Sequence, residues 1–98
     1  MTIFPKILLE IARRVVWFKP PDETLNDKVY FLCYLMQYGL TEDIVTVQKQ
    51  FSKKEFRHAI NHAYPGILDQ RSWAYWNLVL NGTPDKPMPK RSFRKRFP

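Results

Sequence analysis

Glycine and cysteine are both scarce in this 98-residue chain. Three glycines are too few for a β-sandwich, which needs many glycine turns, and most of the eight prolines stand toward the ends. That distribution favours helices with punctuated flanks. A single cysteine, Cys33, excludes an internal disulfide and fits a reducing compartment. Long apolar runs are missing too. The opening "MTIFPKILLEIARRVVWF" is broken by Pro5, Lys6, Glu10, Arg13 and Arg14. It reads neither as a signal peptide nor as a membrane span. The expectation is a soluble cytoplasmic protein with no membrane partner.

Catalytic signatures are also missing. There is no GxGxxG, phosphate loop, nucleophile elbow or paired-carboxylate motif. Asp22, Glu23 and Asp27 cluster, but in a stretch that reads as a linker and a helix start, where caps account for acids. The expectation is a protein without catalytic residues, metal or cofactor.

What is present suffices for a core. Hydrophobic residues make up 45% and aromatics 15%, which a disordered chain would not show. The formal charge of +7 is unevenly spread. Residues 83–98 hold Lys86, Lys90, Arg91, Arg94, Lys95 and Arg96 against one acid, Asp85, for a net +5. The first 82 residues hold ten basic and eight acidic residues, a net +2. The expected organisation is a helical domain over 1–82 and a basic, proline-containing tail over 83–98.

Five helical segments are legible. The first spans about Lys6–Trp17, with Ile7, Leu8, Ile11, Val15 and Phe18 at spacings of three and four, and Pro20–Pro21 ends it. The second spans about Leu25–Tyr38, with Thr24 and Asp27 as a capping pair and Gly39 as a left-handed stop. Its centre, "VYFLCYLM", is apolar nearly all round, as expected of a helix buried among the others. The third spans about Glu42–Gln50 with Thr41 as N-cap. The fourth spans about Lys53–Ala63, opened by an S-x-x-E box at Ser52 and Glu55. The fifth spans about Gln70–Leu80, capped by Asp69 or Ser72 and stopped by Gly82. The fold class expected is all-α: a compact domain of about five short helices with an extended basic C-terminal tail.

Each candidate site has a plain structural reading beside the functional one. Trp73 and Trp76 would each add roughly 2–3 kcal/mol if buried. One of them could instead be an exposed anchor, since Trp and Tyr dominate interface hot spots. His58 and His62 stand one turn apart, with Glu55 a turn earlier, but no second ligand pair accompanies them, so surface histidines are expected. Cys33, inside an apolar helix, reads as structural. Residues 41–63 read as helix, turn, helix, and Lys53, Lys54, Arg57 and Asn61 would offer a basic, DNA-reading face. Glu42 and Asp43 on the preceding helix would face phosphate poorly. The tail interleaves its cations with Phe93 and Phe97, suiting either nucleic acid or an acidic protein groove.

One resemblance spans roughly residues 25–82. It rests on Tyr38–Gly39, then Thr41, Glu42 and Asp43, and a closing Ser72, Trp76 and Leu80 in the pattern Ser-x-x-x-W-x-x-x-L. This resembles small helical bacterial antitoxin-like proteins paired with nucleotidyltransferase-type (abortive-infection) toxins. The tail has no counterpart in that pattern. The resemblance implies a protein that binds and neutralises a toxin-type enzyme. Combined with the apolar fifth helix and the basic tail, it makes Tyr75, Trp76, Arg91, Phe93, Arg94 and Arg96 the expected partner contacts. The alternative is a nucleic-acid-binding protein, a transcriptional autoregulator acting through the 41–63 unit or the tail.

Overall fold

The computed structural model of the protein describes residues 4–89. Six helices succeed one another: α1 Lys6–Val15, α2 Pro21–Asn26, α3 Lys28–Tyr38, α4 Thr41–Gln48, α5 Lys53–Asn61 and α6 Gln70–Asn81. The fold is all-α, as expected, and no strand occurs among the described residues. Every other helix packs on α3. Its Phe31, Leu32, Cys33, Leu35 and Met36 are buried, which is what an unstriped apolar helix requires.

The first helix is shorter than its pattern suggests. Val16 leaves helical geometry at φ −129°, ψ 74°, and by doing so enters the core fully buried. Regular structure therefore ends before Pro20–Pro21 is reached. Of the apolar stripe, Leu8, Ile11 and Val15 are buried, whereas Ile7 and Phe18 lie exposed.

The proline pair starts a helix instead of only ending one. Pro21 occupies the first turn of α2, where its missing N–H costs nothing, and Asp22 and Glu23 follow at the positive end of the helix. Those acids therefore belong to a sixth helix and not to a linker. Thr24 caps nothing: it is buried, and its hydroxyl donates to the Pro20 carbonyl at 3.2 Å. Asp27 alone caps α3, accepting from the Tyr30 N–H at 3.1 Å.

Gly39 stops α3, but not in the left-handed conformation. Its φ is −69° and ψ 145°, which any residue adopts. The reason for glycine is space: a Cβ there would stand 2.6 Å from the Leu35 carbonyl oxygen and 2.8 Å from Leu35 Cδ1. The N-cap of α4 is Leu40, one residue earlier than expected, and Asp43 Oδ2 accepts from its N–H at 3.2 Å. Asp43 also receives a two-pronged pair from Arg14 Nη1 and Nη2, at 2.8 and 2.7 Å, fastening α4 to α1.

At α5 the Ser52–Glu55 box forms as expected. Ser52 Oγ accepts from the Glu55 N–H at 3.2 Å, and Glu55 Oε1 accepts from the Ser52 N–H at 3.0 Å. Asp69 caps α6, accepting from the Ser72 N–H at 2.8 Å, while Gln37 of α3 donates to its other oxygen at 3.0 Å. Gly82 ends α6 with φ +77°, a left-handed position that favours glycine.

Regular structure ends at Gly82, but the chain does not leave the domain there. Trp73 Nε1 donates to the Lys86 carbonyl at 2.7 Å, and Met88 packs half-buried on the core. Three prolines between residues 84 and 89 remove N–H groups that would otherwise need partners. The segment can then lie against an apolar surface with its carbonyls free to accept.

Candidate interaction surface

Among the described residues, two of the open apolar surfaces bear on binding. The first is a groove of about 570 Å³ between α4 and α6, floored by Met36 of α3. Ile44 and Val45 line one wall and Tyr75, Trp76 and Val79 the other, with Thr41, Gln48, Arg71 and Ser72 supplying polar edges. Tyr75 is 58% exposed and stands edge-on to Trp76, with ring centroids 5.3 Å apart. Val45, Leu78 and Val79 are exposed beside it.

The predicted contacts fall unevenly on this groove. Tyr75 is on its rim. Trp76 is a wall: it is 5% exposed, stacks on Phe56 and donates from Nε1 to the Met36 carbonyl at 3.1 Å. Trp73 is also buried, so neither tryptophan of α6 is a free anchor. Arg91, Phe93, Arg94 and Arg96 lie outside the described residues.

The second surface was not anticipated. Trp17, expected inside the first helix, is 80% exposed in the turn before α2. It begins a continuous row of rings. Trp17 meets Phe18 at 5.4 Å, Phe18 meets Tyr34 at 5.9 Å, Tyr34 meets Tyr30 at 4.9 Å, and Tyr30 meets Tyr64 at 6.0 Å. A branch runs from Tyr34 to Tyr38 at 5.9 Å, and Lys19 Nζ sits 4.3 Å from the centroid of Tyr30. Tyr30, Tyr34 and Tyr38 recur every four residues, which puts them on one stripe of α3. That spacing is visible in the sequence. The arrival of Trp17, Phe18 and Tyr64 beside it is not.

The α5 face differs from the expected DNA reader. Lys53 and Lys54 are exposed, but Arg57 Nε donates to the Leu80 carbonyl at 2.8 Å, satisfying the end of α6. The Asn61 side-chain oxygen accepts from Asn81 at 3.0 Å and from Lys86 at 3.2 Å. Both presumptive base readers are thus engaged within the chain. The two helices of the unit also pack on α3, and α5 on α6, rather than forming one closed pair.

His58 and His62 stack with centroids 4.2 Å apart, while Glu55 is drawn to Ser52 and to Lys28. No group of three His, Cys, Asp or Glu side chains suited to a metal occurs among the described residues. Cys33 is fully buried, and burial pushes its thiol up to about 11, so it is no thiolate at neutral pH. No helix among the described residues is long and apolar enough to cross a membrane. Comparison with protein-family models, curated proteins and solved structures finds no match to this chain.

Proposed function

We propose that the protein is a non-catalytic cytoplasmic binding protein, antitoxin-like, that docks on and blocks a toxin-type enzyme of the nucleotidyltransferase kind. The α4–α6 groove carries this reading. It is an apolar concavity with an exposed tyrosine on its rim, the composition that gives interface hot spots. Thr41, Ser72 and Trp76, three positions of the resemblance, line it. The basic residues beyond Pro89 would add charge complementarity to an enzyme that gathers carboxylates around a metal.

The test is a pull-down of the full chain from its native host with nuclease present, followed by an activity measurement on the captured protein. The reading expects one stoichiometric partner whose nucleotidyl transfer stops on addition of this chain. Tyr75→Ala should weaken capture on the order of thirtyfold, in line with about 2 kcal/mol for a hot-spot truncation. Tail deletion should start at residue 90, because the Lys86 carbonyl and Met88 tie the preceding segment to the domain. A captured enzyme that is not inhibited, or that binds the Tyr75→Ala chain equally well, overturns the reading.

A further inference from the structure

We infer that the element received by the α4–α6 groove is an amphipathic helix of a protein partner, with an acidic residue at each end of its apolar stripe. The inference rests on the proposed reading of the groove as the docking surface. It does not depend on what reaction the partner catalyses.

The groove is longer than its main hollow. A second hollow of about 340 Å³ opens between the end of α4, the start of α5 and the end of α6. Gln48 and Val79 line both hollows, so the two form one trough, and Phe51, Phe56 and Leu80 continue its apolar lining. Its walls run in the same direction: Gln37 of α3 bonds the Asp69 cap of α6, and α4 starts just past that end of α3. At about 1.5 Å per residue, the α6 wall spans about 14 Å from Arg71 to Leu80. An occupant of that length must satisfy its own backbone. The walls are helices, and among the described residues there is no strand edge for an extended segment to join. A helix keeps its backbone bonds within itself and presents apolar residues at i, i+3, i+4 and i+7.

Charge is arranged at the ends of the trough. Arg71 lines the first hollow and Lys53 the second, and no Asp or Glu lines either. Both cations are exposed, and neither makes a hydrogen bond or an ion pair among the described residues. The acids nearby are committed elsewhere. Asp69 is within electrostatic reach of Arg71, but its oxygens accept from the Ser72 N–H and the Gln37 amide. Glu55, two residues past Lys53, accepts from the Ser52 N–H and pairs with Lys28. Glu42, beside Thr41 on α4, does not line the groove, and its charge acts on Arg14. Two open cations with an apolar floor between them complement an apolar stripe flanked by acids. A nucleic acid would find no continuous cationic track along this floor.

The experiment is a display selection on the immobilised full chain, from a library of helical peptides with apolar residues fixed at i, i+3, i+4 and i+7 and all other positions randomised. Selected peptides are synthesised with a fluorescent label and titrated by anisotropy, and each variant's fold is checked by its thermal melt. The expected result is enrichment of Asp and Glu at both ends of the stripe, and binding about thirtyfold weaker to Tyr75→Ala. Arg71→Glu and Lys53→Glu should each weaken binding about threefold, and about tenfold together. Exchanging the peptide's end acids for lysine should restore binding to the doubly reversed chain, and Trp17→Ala should change nothing. The same double reversal should weaken capture in the pull-down from the native host. A captured partner that depends on Arg71 and Lys53 but transfers no nucleotide would sink the toxin reading and support this one. Three outcomes overturn the inference. One is that no peptide is selected. Another is that the selected peptides are basic or unbiased at their ends. The third is binding indifferent to Tyr75→Ala or to both charge reversals.

Discussion

The groove and the row are both open, apolar and aromatic, yet they are built in opposite ways. The groove is the outer side of the core: Trp76 and Met36 wall it with one surface and hold the domain together with the other. The row rests on the core through the half-buried Tyr30 and Tyr34 and carries exposed rings at its ends. Trp17 and Tyr38 could be removed and the buried cluster would keep all its members. The lesson is that equal exposure of apolar surface does not mean equal freedom to vary. A residue in the groove wall is tied to the fold, whereas an exposed ring at the end of the row, such as Trp17, is much less so.

The sharpest way to break the comparison is to truncate one tryptophan from each side. Trp76→Ala removes a buried indole, its stack on Phe56 and its bond to the Met36 carbonyl. It should cost about 3–5 kcal/mol of stability in a urea melt. Trp17→Ala should stay within about 0.5 kcal/mol of the parent, as surface substitutions do. If the two melts shift equally, the row is part of the core and the contrast fails.

Gly39 lies between the two surfaces, after Tyr38 of the row and before the α4 wall of the groove. An added Cβ would collide with the Leu35 carbonyl, which is backbone and cannot swing away. Gly39→Ala should therefore cost about 1–3 kcal/mol. It should also disturb the groove, read as weaker partner capture by the variant. Unchanged capture would mean that the collision relaxes locally.

How much of this was legible in the sequence follows from how local each cause is. The Ser52–Glu55 box and the Gly82 stop depend on residues within three or four positions, and both stand where the pattern puts them. The central helix was legible because it lacks a polar face. Proline misled in the other direction: it stops a helix behind it and equally starts one at its own position, so α2 was hidden. The groove's rim at Tyr75 was readable as an apolar residue off the buried stripe. The row was not, because it joins a turn, a helix stripe and a loop 47 positions apart at its ends, Trp17 and Tyr64, that only packing on α3 brings together. Spacing rules see one element at a time.

The gentlest probe is acid. Arg14 holds the Asp43 carboxyl below its ordinary range, with the Leu40 N–H adding to the effect and burial opposing it. A carboxyl depressed in the folded state stabilises fully above its unfolded value, about 3.9, and that stabilisation fades as pH falls toward the lower folded value. The Arg14 side chain is half exposed, so solvent screens the pair, and its loss should amount to about 1 kcal/mol. The contact fastens α4, which is a wall of the groove, and touches no ring of the row. Stability of the parent should therefore drop slightly more than that of Asp43→Asn between pH 5 and the folded titration point, where the variant has no charge left to lose. Tryptophan emission would separate the sites during the same titration. The buried pair Trp73 and Trp76 should report any loosening beside the groove, while the exposed Trp17 should not. Equal acid sensitivity in parent and variant would assign the α1–α4 tie to packing, and the groove would then owe its shape to Met36 and Trp76 alone.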